Sequence, residues 1–184
     1  MLNNGTNNPM NIRPYAKNKK YWLGQIGVRR GFCIFSDEKY SFRAACYLIM
    51  RSYRRAGCYT ISQIINRYAP PVENPTMNYE AYVCKHTGLL PTDIPKTIYD
   101  VASIVEAMYW FENGLISDDF FNSRYDYIVQ LIKDFGLKFY YAPYQSRNIY
   151  LHSISTEITS KGIHNRFHDF NNQIDSLFFH NKKN

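Results

Sequence analysis

The chain has 184 residues, of which 45% are hydrophobic and only 20% are charged, so its composition fits one folded domain with a core and excludes a disordered chain. Its formal net charge of +7 and its 17 tyrosines and 12 phenylalanines favour anionic partners such as bacterial cell-wall polymers, nucleic acid or a membrane surface. No apolar run reaches the roughly 18 residues that a membrane span requires, and "MLNNGTNN" lacks the pattern of a secretory signal.

The first predicted elements are a hairpin and a long helix. The segments "YWLGQIG" and "GFCIF" alternate apolar and small residues on either side of a turn, which indicates a hairpin near residues 21–35. Ser36 or Asp37 is a suitable N-cap for a following helix, and Gly57 is a suitable C-terminal stop. We therefore expect a helix between these two signals.

Two shorter helices are predicted next. Thr60 and Gln63 have the spacing of a capping box ahead of an apolar face, and Pro70 ends that helix. Thr76 is the candidate N-cap of the following helix, which Gly88 ends. The prolines between the two helices indicate a rigid loop.

The fourth and fifth predicted helices complete the helical part of the chain. Pro95 fits the first turn of the fourth helix, and Gly114 ends it. Ser117, followed by two aspartates, opens a fifth helix that runs to Gly136. Short strand-like pieces such as "LKFYY" and a polar, asparagine-rich end follow.

These elements predict a mainly α fold of the α+β class. Residues 1–136 would form a helical domain with a small N-terminal β-hairpin. Residues 137–184 would form a C-terminal extension of unknown role.

Glu112, in the segment "YWFENG", is the first candidate for a chemical role. It continues the apolar stripe of the fourth helix, because it lies four residues after Met108 and seven after Val105. A carboxylate held against apolar neighbours resists ionisation, so its pKa should rise toward the range of a general acid. The alternative is that the last helical turn frays and exposes this side chain to water.

Two further acids are weaker candidates. Glu38 lies in a first helical turn, where the helix dipole favours an acid without any other role. Glu73 lies in the proline-stiffened loop, which could present a side chain precisely oriented toward a ligand, although an exposed acid in a loop is ordinary.

The sequence lacks the motifs that are typical of several other chemistries. The five histidines form no H-E-x-x-H motif and the four cysteines no C-x-x-C motif, so we expect buried thiols, no metal and no cofactor. Neither a G-x-S-x-G elbow nor a glycine-rich phosphate loop occurs. Arginines cluster around the hairpin and the first long helix, where a solvated face is favoured over nucleic-acid binding; they are Arg29, Arg30, Arg51, Arg54 and Arg55.

Four motifs carry a resemblance to a known family. In chain order they are "NNPMNIR" at 7–13, "FCIFSDEKYSFRAA" at 32–45, "TISQIINRYAPPVENPTMNYEAYV" at 60–83 and "FENG" at 111–114. Together they resemble the phage structural protein P5 group, virion-associated lysozyme-like peptidoglycan hydrolases. The resemblance covers about residues 3–116. The chain departs from the family pattern at Met10, at Ser41 with Phe42, and at Tyr68, where the family has glycine, Gly-Ile and tryptophan.

The resemblance implies a lysozyme-like fold and cleavage of peptidoglycan glycan strands by a glutamate general acid/base. Glu112 would be the acid, Glu38 a second carboxylate, and Glu73 a third candidate. Substrate would be bound by side chains at family-motif positions, namely Asn8, Asn11, Tyr68, Asn74 and Tyr79. Cleavage of a peptide cross-link stays open, and the alternative is a catalytically inactive virion or cell-wall-binding protein. Partners would be peptidoglycan and virion proteins or a delivery apparatus, after synthesis in the bacterial cytoplasm.

The order of the motifs suggests a rearranged core. The segment "NNPMNIR" also resembles the Asn-Asn segment of glucosaminidase and lytic transglycosylase cores, in which a helix ending in Glu-x-Gly comes first. Here the matching Glu-x-Gly is in "FENG", on the C-terminal side of the domain. We therefore hypothesise a circularly permuted lysozyme-like core, in which Glu112 lies close to Asn8 and Glu38.

Overall fold

The computed structural model describes residues 5–15, 21–72, 76–114 and 123–141. These residues are mainly helical and include one two-stranded antiparallel sheet, as the sequence predicts. The elements are β1 (Gln25–Arg29), β2 (Phe32–Phe35), α1 (Glu38–Tyr47), a π turn (Leu48–Ser52), α2 (Tyr53–Arg55), α3 (Ile61–Tyr68), α4 (Thr76–Thr87), α5 (Ile98–Asn113) and α6 (Tyr125–Asp134).

The predicted hairpin is confirmed as β1 and β2. Its strands pair from Gln25 with Phe35 to Arg29 with Phe32. Arg30 and Gly31 close it with φ angles of 49° and 82°, and two consecutive residues with positive φ produce a tight turn whose twist matches that of the strands. Cys33 and Phe35 of β2 are buried, and β2 packs against the helix that follows it, α1.

The predicted long helix is present but interrupted. Asp37 is its N-cap and accepts a hydrogen bond of 2.9 Å from the Lys39 backbone N–H. A π turn separates α1 from α2, and apolar periodicity does not predict such a turn. The helix ends at Gly57, as predicted, where φ is +80°.

Arg54 corrects one sequence-based interpretation. Arg54 was expected on a solvated helix face, but only 3% of its surface is exposed. Its guanidinium donates a hydrogen bond to the Pro95 carbonyl oxygen and lies 4.6 Å from the centre of the Phe139 ring. A backbone carbonyl and an aromatic face thus replace water around this buried cation.

Capping boxes define the starts of α3 and α5. Thr60 and Gln63 form the predicted box of α3. For α5 the prediction was wrong, because Pro95 lies before the helix rather than in its first turn. Thr97 is the N-cap, and its reciprocal hydrogen bonds with Asp100 fix the first helical residue at Ile98.

Helix α5 is the centre of the domain. It packs against α1, α4 and α6, and half of its sixteen residues are buried. Gly114 ends the helix in the left-handed conformation, with φ at 63°, as predicted. This central position brings the last turn of α5, which includes Glu112, against the N-terminal loop.

Helix α6 begins at a buried carboxylate. Glu106 of α5, only 7% exposed, accepts hydrogen bonds from the Ser123 hydroxyl and from the backbone N–H groups of Arg124 and Tyr125, at 2.8, 2.6 and 2.9 Å. It therefore caps the start of α6 from another helix. Ser117, predicted to open this helix, lies outside the described residues.

Residues 137–140 belong to the same compact unit as the helices, although they form no helix. The Tyr140 backbone N–H donates to the Met50 carbonyl oxygen of the π turn at 2.7 Å, and the compact unit extends to Tyr140. This segment was expected to be strand-like, but it belongs to no strand. The proposed division at residue 137 stays a prediction, since residues 142–184 lie outside the described part of the chain.

Candidate active site

Glu112 is held by two side chains from distant parts of the sequence. It lies in the last turn of α5 and is half-buried. The Asn11 amide nitrogen donates to Glu112 Oε2 at 2.6 Å, and the Tyr79 hydroxyl donates to Glu112 Oε1 at 3.0 Å. The carboxyl group therefore has a fixed orientation, which differs from the frayed end that the alternative predicted.

The surroundings of Glu112 change its ionisation. Burial raises the pKa of Glu112 above its ordinary value, and the hydrogen bonds from Asn11 and Tyr79 offset only part of that rise. Removal from water disfavours the charged carboxylate, whereas donors stabilise it. The inward orientation predicted from the apolar stripe is therefore accompanied by a raised pKa, as a general acid requires.

Asn11 reaches Glu112 from a strained backbone. Its φ is 49°, in the left-handed region that asparagine tolerates better than most residues. Its backbone N–H closes a turn onto the Asn8 carbonyl oxygen at 3.1 Å. Sparsely populated backbone conformations of this kind concentrate at functional sites.

The "NNPMNIR" loop is fixed by hydrogen bonds from the helices. The Asn113 amide donates to the Pro9 carbonyl oxygen at 2.9 Å, and the Tyr68 hydroxyl donates to the Met10 carbonyl oxygen. Glu112 and its neighbour Asn113 thus both bind this loop. Two motifs about a hundred residues apart in sequence form one site.

Asn8 has a different environment from the one expected of a substrate ligand. It is 4% exposed. Its amide nitrogen donates to the carbonyl oxygens of Ile12 and Cys33, both at 2.9 Å. Its side-chain oxygen accepts from the Ile12 backbone N–H at 2.9 Å and the Ser41 hydroxyl at 2.8 Å. This geometry suits a residue that positions the loop.

The two predicted tyrosines adjoin Glu112. Their rings meet edge to face at 6.4 Å, and Phe111 stacks on Tyr79 at 4.0 Å. Burial raises the pKa of both Tyr68 and Tyr79 well above the ordinary value, and the charge of Glu112 adds to the rise. Both phenols therefore stay protonated, and Tyr79 is able to donate a hydrogen bond to the Glu112 carboxylate.

Glu38 is not brought to Glu112 by the described contacts. Glu38 begins α1, and its charge raises the pKa of Tyr127 on α6, after the larger effect of burial. This places Glu38 on the side of α1 that faces α6. Its role as a second carboxylate stays a prediction, and Glu73 and Asn74 lie outside the described residues.

A cavity of about 240 Å³ adjoins the site. Two predicted residues, Asn11 and Tyr68, line it. Its other lining residues, which the sequence analysis did not single out, are Ile12, Arg13, Pro14, Tyr15, Trp22, Leu48, Tyr53 and Arg67. Two of these residues could have been found from their closeness in sequence to a motif, because Arg13 belongs to "NNPMNIR" and Tyr15 lies two residues after Arg13.

The cysteines resemble core residues more than reactive groups. Cys33, Cys46 and Cys84 are buried and Cys58 is half-buried, and all four are free thiols. Burial raises the pKa of Cys33 to about 11 and those of Cys46 and Cys84 to about 12, so these three thiols are poor nucleophiles near neutral pH.

Within the described ranges no three metal-ligating side chains cluster.

The fold and site define a mainly helical domain whose central helix ends in a half-buried, hydrogen-bonded glutamate. No helix in the described parts of the chain is long and apolar enough to cross a membrane. No protein-family model matches the chain.

One similarity gives the chain a relationship to a phage protein. Over 110 residues the chain is 29% identical to "Protein P5" of Pseudoalteromonas phage PM2. The match covers 59% of this chain and 68% of that protein. This finding supports the phage relationship expected from the four motifs and is compatible with a virion association.

Proposed function

We propose that the chain is a virion-associated peptidoglycan-degrading enzyme that cleaves glycan strands with Glu112 as its general acid. The observation that carries the proposal is the Glu112 site. A half-buried carboxyl group with a raised pKa is oriented by Asn11 and Tyr79 beside an aromatic cavity. A pKa shifted upward and a fixed position are the two properties that general acid catalysis favours, and they support the proposal.

In the first step, protonated Glu112 transfers its proton to the glycosidic oxygen. The bond between that oxygen and the anomeric carbon breaks, the leaving sugar takes the proton, and positive charge develops at the anomeric carbon. Glu112 becomes a carboxylate, and the donors Asn11 and Tyr79 then stabilise its charge. The Tyr79 hydroxyl can rotate to accept or donate, so it can bind either state of the acid.

The second step needs a group that traps the anomeric carbon. We propose the simplest step that uses the described site, in which Glu112 is the one carboxylate that reacts. The 6-hydroxyl group of the same sugar would attack the anomeric carbon, and Glu112 would take the proton that this hydroxyl loses. The product is then a 1,6-anhydro sugar, as in lytic transglycosylases.

Digestion of purified sacculi tests the proposal. We expect wild-type protein to release fragments, and Glu112→Gln to lower the rate about 10²–10⁴-fold, the usual contribution of general acid catalysis. Glu38→Gln is the matched control and should keep most activity under the one-carboxylate mechanism. Mass spectrometry of the products distinguishes 1,6-anhydro ends from reducing ends, and free peptide ends would indicate a peptidase instead.

A second candidate is a catalytically inactive virion or cell-wall-binding protein with the same site. One observation favours it, because both oxygens of Glu112 already accept hydrogen bonds, as a structural buried carboxylate requires. This candidate predicts that the protein sediments with sacculi without releasing products. Glu112→Gln would then leave the bound fraction unchanged.

A further inference from the structure

The cavity beside Glu112 is lined by aromatic and arginine side chains that the proposed acid catalysis does not use. Asn11 and Tyr68 belong both to its wall and to the surroundings of Glu112. From these two residues the cavity extends to residues that have no role in the proposed proton transfer. Its volume of about 240 Å³ is below the roughly 300–1,000 Å³ of sites for drug-sized ligands, so it suits about one sugar ring.

One wall of the cavity is a preorganised aromatic platform. The rings of Tyr15 and Trp22 stack at 4.2 Å with an angle of 25° between their planes. Trp22 is 6% exposed and donates its indole N–H to the Arg13 carbonyl oxygen at 2.9 Å, whereas Tyr15 is 39% exposed. A buried ring thus supports an accessible one, and the C–H face of a sugar can pack against such a surface.

Two arginines give the cavity a positive charge. Arg13 lines it, and its guanidinium lies 5.3 Å from the centre of the Phe32 ring. Arg67 lines it from the last turn of α3 and is exposed. A carboxylate can accept paired hydrogen bonds from a guanidinium, and a neutral sugar has no such group.

We infer that this cavity is a subsite for an amino sugar whose lactyl arm carries a carboxylate, with Tyr15 packing on the ring and Arg13 and Arg67 binding the acid. The inference rests on the proposed function, because it takes peptidoglycan as the substrate. The carboxylate belongs either to the lactyl group itself or to the first acidic residue of a peptide attached to it. The shared chemistry is an anionic substituent on an N-acetylated sugar.

Binding to the full-length Glu112→Gln protein tests the subsite, since this variant would not process the ligand. Two matched pairs of ligands are compared by calorimetry or NMR titration. One pair is N-acetylmuramic acid and its lactyl carboxamide, and the other is muramyl-alanyl-glutamate and its diamide. We expect the charged member of at least one pair to bind about tenfold more tightly than its amide, as charge-assisted hydrogen bonds provide. The pair with this preference identifies the source of the carboxylate.

Arginine variants make the result specific to the cavity. Arg13→Gln and Arg67→Gln should each reduce the preference for the charged ligand several-fold. Arg30→Gln, in the exposed hairpin turn, removes the same charge elsewhere and should leave the preference intact. Equal binding of charged and neutral ligands, no binding, or an equal loss with Arg30→Gln would overturn the inference. If Glu112→Gln digests sacculi at the wild-type rate, the proposed mechanism fails while this binding result still stands.

Discussion

The side-chain amide of Asn11 lies 2.6 Å from the Glu112 carboxylate, although the two residues are 101 positions apart in the sequence. This hydrogen bond joins the N-terminal loop to the end of the central helix. It combines an asparagine in the left-handed backbone region with a half-buried acid, and a positive φ is uncommon for a residue other than glycine. Replacing either partner should therefore change the chemistry and the stability of the site in separable ways.

Asn11→Ala and Asn11→Gly form an informative pair. Both remove the donor to Glu112, so both should raise the Glu112 pKa further and shift the alkaline limb of the activity profile to higher pH. Only alanine also bears the cost of the left-handed backbone, about 1–2 kcal/mol. Asn11→Gly should therefore unfold at a higher temperature than Asn11→Ala, although both have the same pH profile. Identical melting temperatures would argue against strain at this position.

Glu112→Gln should stabilise the protein at neutral pH. The folded-state pKa of Glu112 is raised, so the folded chain holds the proton more tightly than the unfolded chain between the two pKa values. The free energy of unfolding of the wild type therefore falls as pH rises through this interval. Below the pKa that Glu112 has in the unfolded chain, both states hold the proton and the free energy of unfolding is not reduced.

Glutamine has no proton to lose, and its amide can still bind Asn11 and Tyr79. The stability difference in favour of Glu112→Gln should therefore appear as pH rises above the ordinary glutamate pKa and then become constant. Urea unfolding at a series of pH values measures it. A wild type that gains stability over this interval would show that the donors outweigh burial and that folding lowers the Glu112 pKa instead of raising it.

Tyr79→Phe isolates the second donor. It keeps the ring that stacks on Phe111 and removes only the hydroxyl that binds Glu112, so the acid should lose orientation and its pKa should rise. We expect sacculus digestion to slow by about tenfold, consistent with one lost hydrogen bond to a charged group. Tyr82→Phe removes a hydroxyl from the next turn of the same helix and is the control. Equal rates for both variants would remove Tyr79 from the mechanism.

The sequence predicts the local elements of this fold well, because their signals are local. The cap at Asp37, the capping box of Thr60 and the stop at Gly114 each depend on residues within one helical turn. The start of α5 was misplaced because a proline was preferred to the capping box that Thr97 forms with Asp100. The cap that Glu106 provides for α6 comes from another helix, and no local pattern contains it.

The site was predictable only in part. The apolar stripe indicated that Glu112 faces inward, but the identity of its donors depends on how the N-terminal loop packs. Two departures from the family pattern illustrate this, since the backbone N–H of Met10 donates to the Ser41 hydroxyl at 3.2 Å, and that hydroxyl donates to Asn8. Residues that look independent in sequence are adjacent in space. The cavity residues were missed for the same reason.

Asn8 provides the test that separates positioning from substrate contact. In Asn8→Asp the amide donor is lost, so a carboxylate oxygen faces the carbonyl oxygens of Ile12 and Cys33 in a buried position. Unpaired buried acceptors cost about 1–3 kcal/mol each, so the midpoint of urea unfolding should fall clearly. Activity should fall with it, because the same loop places Asn11 against Glu112.

A substrate ligand would behave differently from a positioning residue at this site. Loss of a contact made only with substrate would raise KM while leaving the unfolding midpoint of the free protein unchanged. Asn113→Ala is a suitable comparison, since it removes a single donor to the Pro9 carbonyl oxygen of the same loop and should destabilise less than Asn8→Asp. A variant at Asn8 with wild-type stability and a raised KM would confirm its predicted role in substrate binding. A lowered midpoint, together with a Glu112 pKa shifted upward in the pH profile, would establish that Asn8 acts through Asn11.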